Sequence, residues 1–184
     1  MRRIRSLTGP LVLGALLATT PQLAFGQPDE DSPVEITCRA CRPSTEISSD
    51  ELGEFLAKNL TISFSKEAAP GVGLGVNVKL RLELISRAEE INWKWESKAV
   101  EVEGGETYSG ETWMSQRDRH EGTGLGDRLK VTITGSGTFI SPITMRFPEI
   151  CERATHAVRI TLVSDDERGA PLGTIYLLCL DVEG

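Results

Sequence analysis

The sequence predicts an all-β protein, an antiparallel β-sandwich with one short helix near its N-terminus. Apolar and polar residues alternate along many short segments, and clusters of Gly, Pro, Asp and Ser separate these segments. One segment alone has the spacing of an amphipathic helix. Because the chain shows no repeat of roughly 20 to 50 residues, a propeller or a solenoid is disfavoured.

The first 26 residues have the pattern of a secretory signal peptide. Arginines precede an apolar run from Leu7 to Ala18, and small residues stand just before Gln27, where a signal peptidase would cleave. The run is shorter than the roughly 20 residues that cross a bilayer. We therefore predict a secreted or periplasmic protein whose mature chain is not inserted in a membrane.

The mature chain is predicted to form one domain, residues 34–184, after a disordered acidic leader at residues 27–33. Three of the 20 basic residues lie in the predicted signal, which leaves 17 basic and 27 acidic residues and a formal charge of −10. Such a charge repels nucleic acids and anionic membrane surfaces. Neither is therefore an expected partner.

The domain is predicted to begin with a strand at Val34–Cys38, followed by a helix at about Asp50–Lys58. In that helix Leu52, Phe55 and Leu56 recur at i, i+3 and i+4. One face of the helix should therefore pack on a sheet.

The clearest strand runs from Val72 to Leu84, where every second residue is apolar. Its other face begins with glycines and ends with the charged residues Lys79, Arg81 and Glu83. We expect this second face to meet water.

Apolar and polar residues also alternate from Ile91 to Glu96. A break near Ser97 follows, and the apolar face resumes at Val100 and Val102. Further strands are predicted at about Thr107–Met114, Arg128–Thr134, Ile143–Phe147, His156–Val163 and Gly173–Val182.

The four cysteines form an even set in a chain predicted to be exported, so we expect two disulfides among Cys38, Cys41, Cys151 and Cys179. Of the three connectivities, we favour one that joins an early cysteine to a late one, because the first and last strands of a sandwich often lie close together. Two alternatives are a redox pair or a zinc site at Cys38 and Cys41, since two residues between thiols suit both chemistries.

Immunoglobulin domains pair cysteines across two sheets against a buried tryptophan. In this chain Trp93 follows Cys41 by 52 residues, a far longer gap than in a true immunoglobulin domain. The sequence therefore suggests an immunoglobulin-like architecture and not membership of that family.

Four aromatic residues are candidates for ligand binding. Trp93 and Trp95 share a strand face. Tyr108 and Trp113 lie on a strand that could pair beside it. An exposed row of flat rings would hold a glycan. Alternatively Trp93 and Trp95 face the core, since polar residues alternate with them, and Trp113 is the tryptophan that we expect to be exposed.

Residues 117–127 combine charges with glycines and suggest an alternative catalytic set of Asp118, His120 and Glu121. A solvated hairpin loop would have the same composition, and the glycines do not match a phosphate-binding loop. His120 and His156 lie 36 residues apart and form no short metal-ligand pattern. We therefore predict neither a metal site nor a cofactor.

These observations predict a small exported β-sandwich that acts as a non-catalytic binding or assembly module, with a protein or a glycan as its partner. One alternative is a secreted hydrolase that uses His120 with Asp118 or Glu121. Another is a glycan-binding module that uses exposed Trp and Tyr side chains. Binding is favoured over catalysis because the sequence contains no convincing catalytic set.

Overall fold

The computed structural model describes residues 33–66, 76–88, 91–115, 125, 128–140, 147–165 and 169–183. The strands are β1 (Val34–Cys38), β2 (Glu46–Ser48), β3 (Leu60–Phe64), β4 (Val76–Ser86), β5 (Ile91–Glu96), β6 (Val100–Val102), β7 (Thr107–Ser109), β8 (Lys130–Ile140), β9 (His156–Ser164) and β10 (Pro171–Glu183). The helices are α1 (Leu52–Asn59) and α2 (Glu111–Met114), and a turn of 3-10 helix spans Glu149–Cys151.

The described strands form two antiparallel sheets, which confirms the predicted all-β sandwich. The small sheet has the order β1, β3, β7. The large sheet has the order β2, β8, β10, β9, β4, β5, and β6 pairs with β4 beside β5. We call the side of the large sheet that contacts the small sheet its inner face, and the opposite side its outer face.

The main core lies on the inner face of the large sheet. Every second residue of three adjacent strands belongs to it: Val78, Leu80, Leu82 and Leu84 of β4, Val158, Ile160 and Leu162 of β9, and Tyr176, Leu178 and Leu180 of β10. Full burial of a large apolar side chain contributes about 1.5–3 kcal/mol, so these strands supply much of the stability. The predicted alternation is confirmed from Val76 onward, while residues 72–75 lie outside the described residues.

The predicted helix and the predicted break in the sheet edge are both confirmed. Helix α1 buries Leu52 and Leu56, one turn apart, against the core. At the break, the Leu80 N–H donates to Ser97 Oγ at 2.9 Å, and the Ser97 hydroxyl donates to the carbonyl of Lys98 at 2.7 Å. The Ser97 side chain thus takes the place of a strand partner between β5 and β6.

One predicted strand is partly wrong, because Thr107–Met114 divides into β7 and the helical turn α2. The division occurs at Gly110, which is buried and whose N–H donates to the carbonyl of Leu60 at 2.9 Å. A Cβ at this position would lie only 2.8 Å from the carbonyl oxygen of Leu56. Only glycine allows the chain to approach α1 so closely, and the chain turns into α2 at this point.

Hydroxyl groups of the large sheet join β1 to the rest of the domain. Thr174 Oγ1 of β10 donates to the carbonyl of Val34 at 2.6 Å, and Thr138 Oγ1 of β8 donates to the carbonyl of Ile36 at 2.8 Å. Carbonyls at a strand edge need donors when they are removed from water. For these two carbonyls of β1, hydroxyl groups of the large sheet therefore act as the donors that a neighbouring strand would otherwise supply.

Replacing Thr138 with valine should test this edge contact. The change keeps the shape of the side chain but removes the donor to the Ile36 carbonyl, so we expect the free energy of unfolding to fall by about 1–2 kcal/mol. Urea unfolding followed by circular dichroism measures it. Thr132, also on β8 but on the outer face, is the matched control, and a larger loss for Thr132→Val than for Thr138→Val would contradict this role.

The four cysteines form two disulfides, as expected, but the predicted pairing of an early with a late cysteine is wrong. Cys38 pairs with Cys41, 3 positions away, and Cys151 pairs with Cys179, 28 positions away. The large sheet separates the two pairs. Cys41 belongs to the core on the inner face, whereas Cys151 and Cys179 form a small apolar cluster on the outer face.

The two disulfides contribute differently to stability, and neither joins the two sheets as in an immunoglobulin domain. In the chain-entropy model, the short loop closed by Cys38 and Cys41 contributes about 2 kcal/mol, and the longer loop closed by Cys151 and Cys179 contributes about 3.5 kcal/mol. The longer loop ties the 3-10 turn to β10.

Candidate functional site

The four aromatic candidates do not form one exposed row. Trp113 is 0% exposed and Trp95 is 7% exposed, while Trp93 and Tyr108 are half-buried. The expectation that Trp113 is exposed is therefore wrong. The reason is that Trp113 lies on α2, where its indole N–H donates to the carbonyl of Val78 at 3.1 Å inside the core.

Tyr108 and Trp113 belong to an aromatic cluster that holds the small sheet against α2. The rings of Tyr108 and Trp113 are 5.8 Å apart, and those of Tyr108 and Phe64 are 5.7 Å apart, both in edge-to-face arrangements. The Tyr108 hydroxyl accepts a hydrogen bond from the N–H of Glu103 at 3.0 Å. These contacts show that Tyr108 and Trp113 have a packing role in the fold. Trp93 is the tryptophan that keeps a partly exposed ring.

Trp93 lines an apolar cleft between α1 and the edge of the large sheet. We call it the Trp93 cleft, and its lining consists of Leu52, Gly53, Leu56, Leu82, Leu84, Trp93, Trp95, Met114 and Val158. Its volume is about 370 Å³ counting the open mouth, and its enclosed part holds little more than one water molecule. The cleft is therefore narrow and mostly apolar, and the indole N–H groups of Trp93 and Trp95 are the only N–H or O–H groups on the side chains of its lining residues.

The sheet register explains how the cleft forms. Trp93 lies opposite Leu84 and Trp95 lies opposite Leu82, so both rings project from β5 on the inner face. Helix α1 contributes Leu52, Gly53 and Leu56 to the same cleft. Because β5 is the edge strand, the cleft between helix and sheet opens at Trp93.

The edge formed by β5 carries two features that oppose pairing with another strand. The register shifts between Leu84 and Ile85, where one step on β4 matches two steps on β5, so Asn92 forms a bulge. Lys94, in the middle of β5, is exposed and lies 3.0 Å from the Glu96 carboxylate. Bulges and lysines on edge strands are devices that prevent association between sheet edges.

A buried ion pair lies on the outer face of the large sheet. Glu83 of β4 and Arg159 of β9 are directly opposite each other, and Arg159 Nε is 2.8 Å from Glu83 Oε2. Their side chains are only 11% and 5% exposed. The expectation that this end of β4 meets water is therefore wrong for Glu83, although Lys79 and Arg81 remain partly exposed.

Thr161 stands next to this ion pair on the same face of β9. Its residue is 2% exposed, and its hydroxyl has no hydrogen-bond partner within the part of the chain that the structure describes. Sequence reasoning missed this polar group and the ion pair. The available signal was Arg159 itself, a single charge inside the apolar run Ala157–Val163.

The alternative catalytic residues Asp118, His120 and Glu121 lie outside the described residues, so their roles stay predictions. Among the described residues, no group of three or more His, Cys, Asp and Glu side chains could hold a metal ion. His156 is described at the start of β9, where its Nδ1 lies 3.0 Å from the Thr155 hydroxyl.

His156 should make stability depend on pH in a defined direction. Partial burial lowers its pKa below the ordinary 6.5, against a smaller opposing effect of Asp181. The unfolded chain therefore takes up this proton more readily, and the contribution of neutral His156 to stability is lost as pH falls through the folded pKa. We expect His156→Gln to lose less stability than the natural protein between about pH 7.5 and 5.5, and urea unfolding at both pH values measures it. An equal loss in both proteins would contradict this assignment.

A second depression, of about 560 Å³ counting its open mouth, is shallow and polar. It lies beside β2 and is lined by Glu46, Ile47, Ser48, Glu51, Arg128, Leu129 and Lys130. Lys130 is 2.9 Å from the Glu46 carboxylate, so opposite charges already compensate each other there. The lining of this depression mixes positive, negative and apolar residues and so does not indicate one class of ligand. The Trp93 cleft, by contrast, has a mostly apolar lining.

No described helix combines the length and the apolar character that crossing a membrane requires. Comparison with known proteins gives no match to a family model, to a curated protein or to a solved structure. The residues of the chain itself therefore carry the functional argument.

Proposed function

We propose that this protein is a non-catalytic binding module of the cell envelope or the extracellular space, and that the Trp93 cleft receives an apolar side chain of a protein partner. The observation that carries this proposal is the partly exposed residue Trp93 at the mouth of a cleft with a mostly apolar lining. A tryptophan between core and water offers a large apolar surface at low entropic cost.

The lining favours a protein side chain over a sugar. Leu56, Leu84 and Met114 present only carbon and sulfur to the cleft. A sugar ring that entered would leave hydroxyl groups without partners, at a cost of about 1–3 kcal/mol each. An aliphatic or aromatic side chain has no such cost, and because the cleft as it stands holds little more than one water molecule, we propose that the partly exposed Trp93 ring moves outward to admit it.

The edge of the sheet favours binding over assembly of identical subunits. A smooth edge would accept a foreign strand by main-chain hydrogen bonds. Here the bulge at Asn92 interrupts the edge and Lys94 places a charge in the middle of it. We therefore propose that the partner is recognised by a side chain in the cleft.

Export is part of the proposal and is supported by the pattern of residues 1–26 and by the two disulfides, which persist in oxidising compartments. A hydrolase built on His120 with Asp118 or Glu121 is the alternative from another class. Unchanged turnover of a hydrolysable substrate after His120→Ala would remove that alternative.

Two small probes test the cleft while the partner is still unidentified. N-acetylphenylalaninamide carries an apolar side chain between amide groups, and benzene carries the ring alone. In methyl NMR spectra of the full mature chain, we expect both probes to shift the signals of Leu52, Leu56 and Met114. Trp93→Ala should weaken binding at least about tenfold, which corresponds to about 1.4 kcal/mol.

Lys94→Ala is the matched control, because Lys94 lies on the same strand but on the outer face. This variant should bind both probes like the natural protein. The proposal is overturned if neither probe shifts the cleft methyl groups, or if a folded Trp93→Ala variant binds both probes unchanged.

A further inference from the structure

We propose that the disulfide between Cys38 and Cys41 is a thiol–disulfide exchange site that reacts with a dithiol of a protein partner. This inference does not depend on the Trp93 cleft. It starts from a difference between the two disulfides. Cys151 and Cys179 are 1% and 0% exposed inside an apolar cluster, whereas Cys38 is only half-buried.

The loop that holds Cys38 and Cys41 is anchored by hydrogen bonds in addition to its sulfur bridge. Hydrogen bonds to neighbouring elements anchor it: Arg39 N–H to the Asn59 carbonyl (3.0 Å), Ser44 N–H to the Ile133 carbonyl (2.8 Å), Ile133 N–H to the Thr45 carbonyl (2.9 Å), and the Ser136 hydroxyl to the Cys41 carbonyl (2.8 Å). We therefore expect the loop to keep its place when the disulfide is opened, which a reversible exchange site requires.

The two sulfur atoms are in unequal environments. Cys41 is 4% exposed, so Cys38 is the residue that an incoming thiolate reaches. Arg39 and Arg42 flank the pair and are both exposed, and residues 38–45 contain no acidic residue. Positive charge favours the thiolate form that performs exchange. An accessible Cys38 beside a buried Cys41 directs a partner thiolate to Cys38, and in the reverse direction it lets Cys41 resolve a mixed disulfide formed at Cys38.

The exchange transfers two electrons and two protons from the partner. A partner thiolate attacks Cys38 Sγ, the bond between the two sulfur atoms breaks, and Cys41 leaves as a thiolate that takes up a proton. The second partner thiolate then attacks the partner sulfur of the mixed disulfide, the bond from that sulfur to Cys38 Sγ breaks, and Cys38 leaves as a thiolate that takes up the second proton. The products are the oxidised partner and the reduced Cys38 and Cys41, and the reverse sequence reduces a partner disulfide.

Dithiothreitol and glutathione test this assignment on the full mature chain. Alkylation followed by peptide mass spectrometry should show that dithiothreitol reduces the Cys38–Cys41 disulfide at least about 100-fold faster than the Cys151–Cys179 disulfide. The circular dichroism spectrum should stay native after the first reduction. In oxidised glutathione, Cys41→Ser should form a mixed disulfide at Cys38 at least about tenfold faster than Cys38→Ser forms one at Cys41.

Arg39→Gln with Arg42→Gln should slow the glutathione reaction of the Cys41→Ser variant while leaving its fold unchanged. The proposal is overturned if the two disulfides are reduced at similar rates, or if glutathione reacts equally at both cysteines. Loss of the native spectrum on reduction of the Cys38–Cys41 disulfide alone would also overturn it and would identify a structural bridge.

Discussion

Replacing Arg159 with methionine is expected to lower the free energy of unfolding by about 3–5 kcal/mol. The Glu83 side chain, which is 11% exposed on the outer face of the large sheet, would lose the guanidinium that now lies 2.8 Å from its carboxylate. A buried charge without its partner is among the costliest single defects in a fold. Urea unfolding followed by circular dichroism measures the loss.

The double replacement of Glu83 and Arg159 by methionine distinguishes the cost of leaving one buried charge unpaired from the cost of methionine at these positions. Because burial of two charges costs nearly as much as their attraction returns, we expect the double variant to recover most of the lost stability. Lys58→Met is the exposed control, since Lys58 and Glu54 form a pair in which both side chains are 67% exposed. Its effect should stay within about 0.5 kcal/mol. If Arg159→Met lowers the free energy of unfolding by no more than Lys58→Met does, the burial of the Glu83–Arg159 pair is contradicted.

Trp113→Ala is expected to cost about 3–5 kcal/mol of unfolding free energy. The indole is 0% exposed, contacts Tyr108 and donates its N–H to the carbonyl of Val78. Removing it opens a cavity beside β4 and leaves that carbonyl without this donor. Thermal and urea unfolding both measure the effect.

Comparison with two further variants distinguishes a core role from a surface role. Trp113→Phe retains most of the apolar volume and should cost less than Trp113→Ala. Trp93→Ala should also cost less, because the Trp93 ring is partly exposed. If Trp113→Ala is as stable as the natural protein, the Trp113 ring lies on the surface and does not pack in the aromatic cluster described above.

Local patterns in the sequence were sufficient for β4, β9, β10 and α1, whereas β8 continues to Ile140, beyond its predicted end at Thr134. In β4 and β10 the core side needs apolar residues at every second position or throughout, so burial is visible in the sequence. In α1 the spacing of Leu52 and Leu56 likewise shows which face of the helix is buried. The turn at Gly110 was not visible, because the alternation around Tyr108 continues into α2 and the reason for the turn is contact with α1, far away in the sequence.

The side of the sheet on which a residue lies was harder to predict than the strand itself. Cys151 and Cys179 meet on the outer face, and the sequence offered three connectivities without showing which cysteines share a face. Glu83 matched the pattern of an exposed charge, and only its position opposite Arg159 shows that it is buried. Such contacts depend on which distant strands pair and in which register. The alternation of residues within one strand does not contain that information.

The candidate site was predicted in part. Trp93 and Trp95 were identified as neighbours on one face of a strand, and the interpretation of that face as the core side holds for Trp95. The cleft itself depends on the proximity of α1 to β5, which places Leu52 and Leu56 in one lining with the two tryptophans. A helix and a strand separated by about 30 residues give no local signal of such a contact.

A crystal of the mature protein soaked in bromobenzene tests the central claim most directly, because anomalous scattering locates the bromine atom without reference to a partner. We predict a bromine peak between Leu56 and the ring of Trp93, and no peak there in crystals of the Trp93→Ala variant. A peak only at other sites, or an empty cleft at saturating bromobenzene, would contradict the proposal that this protein binds apolar groups beside Trp93.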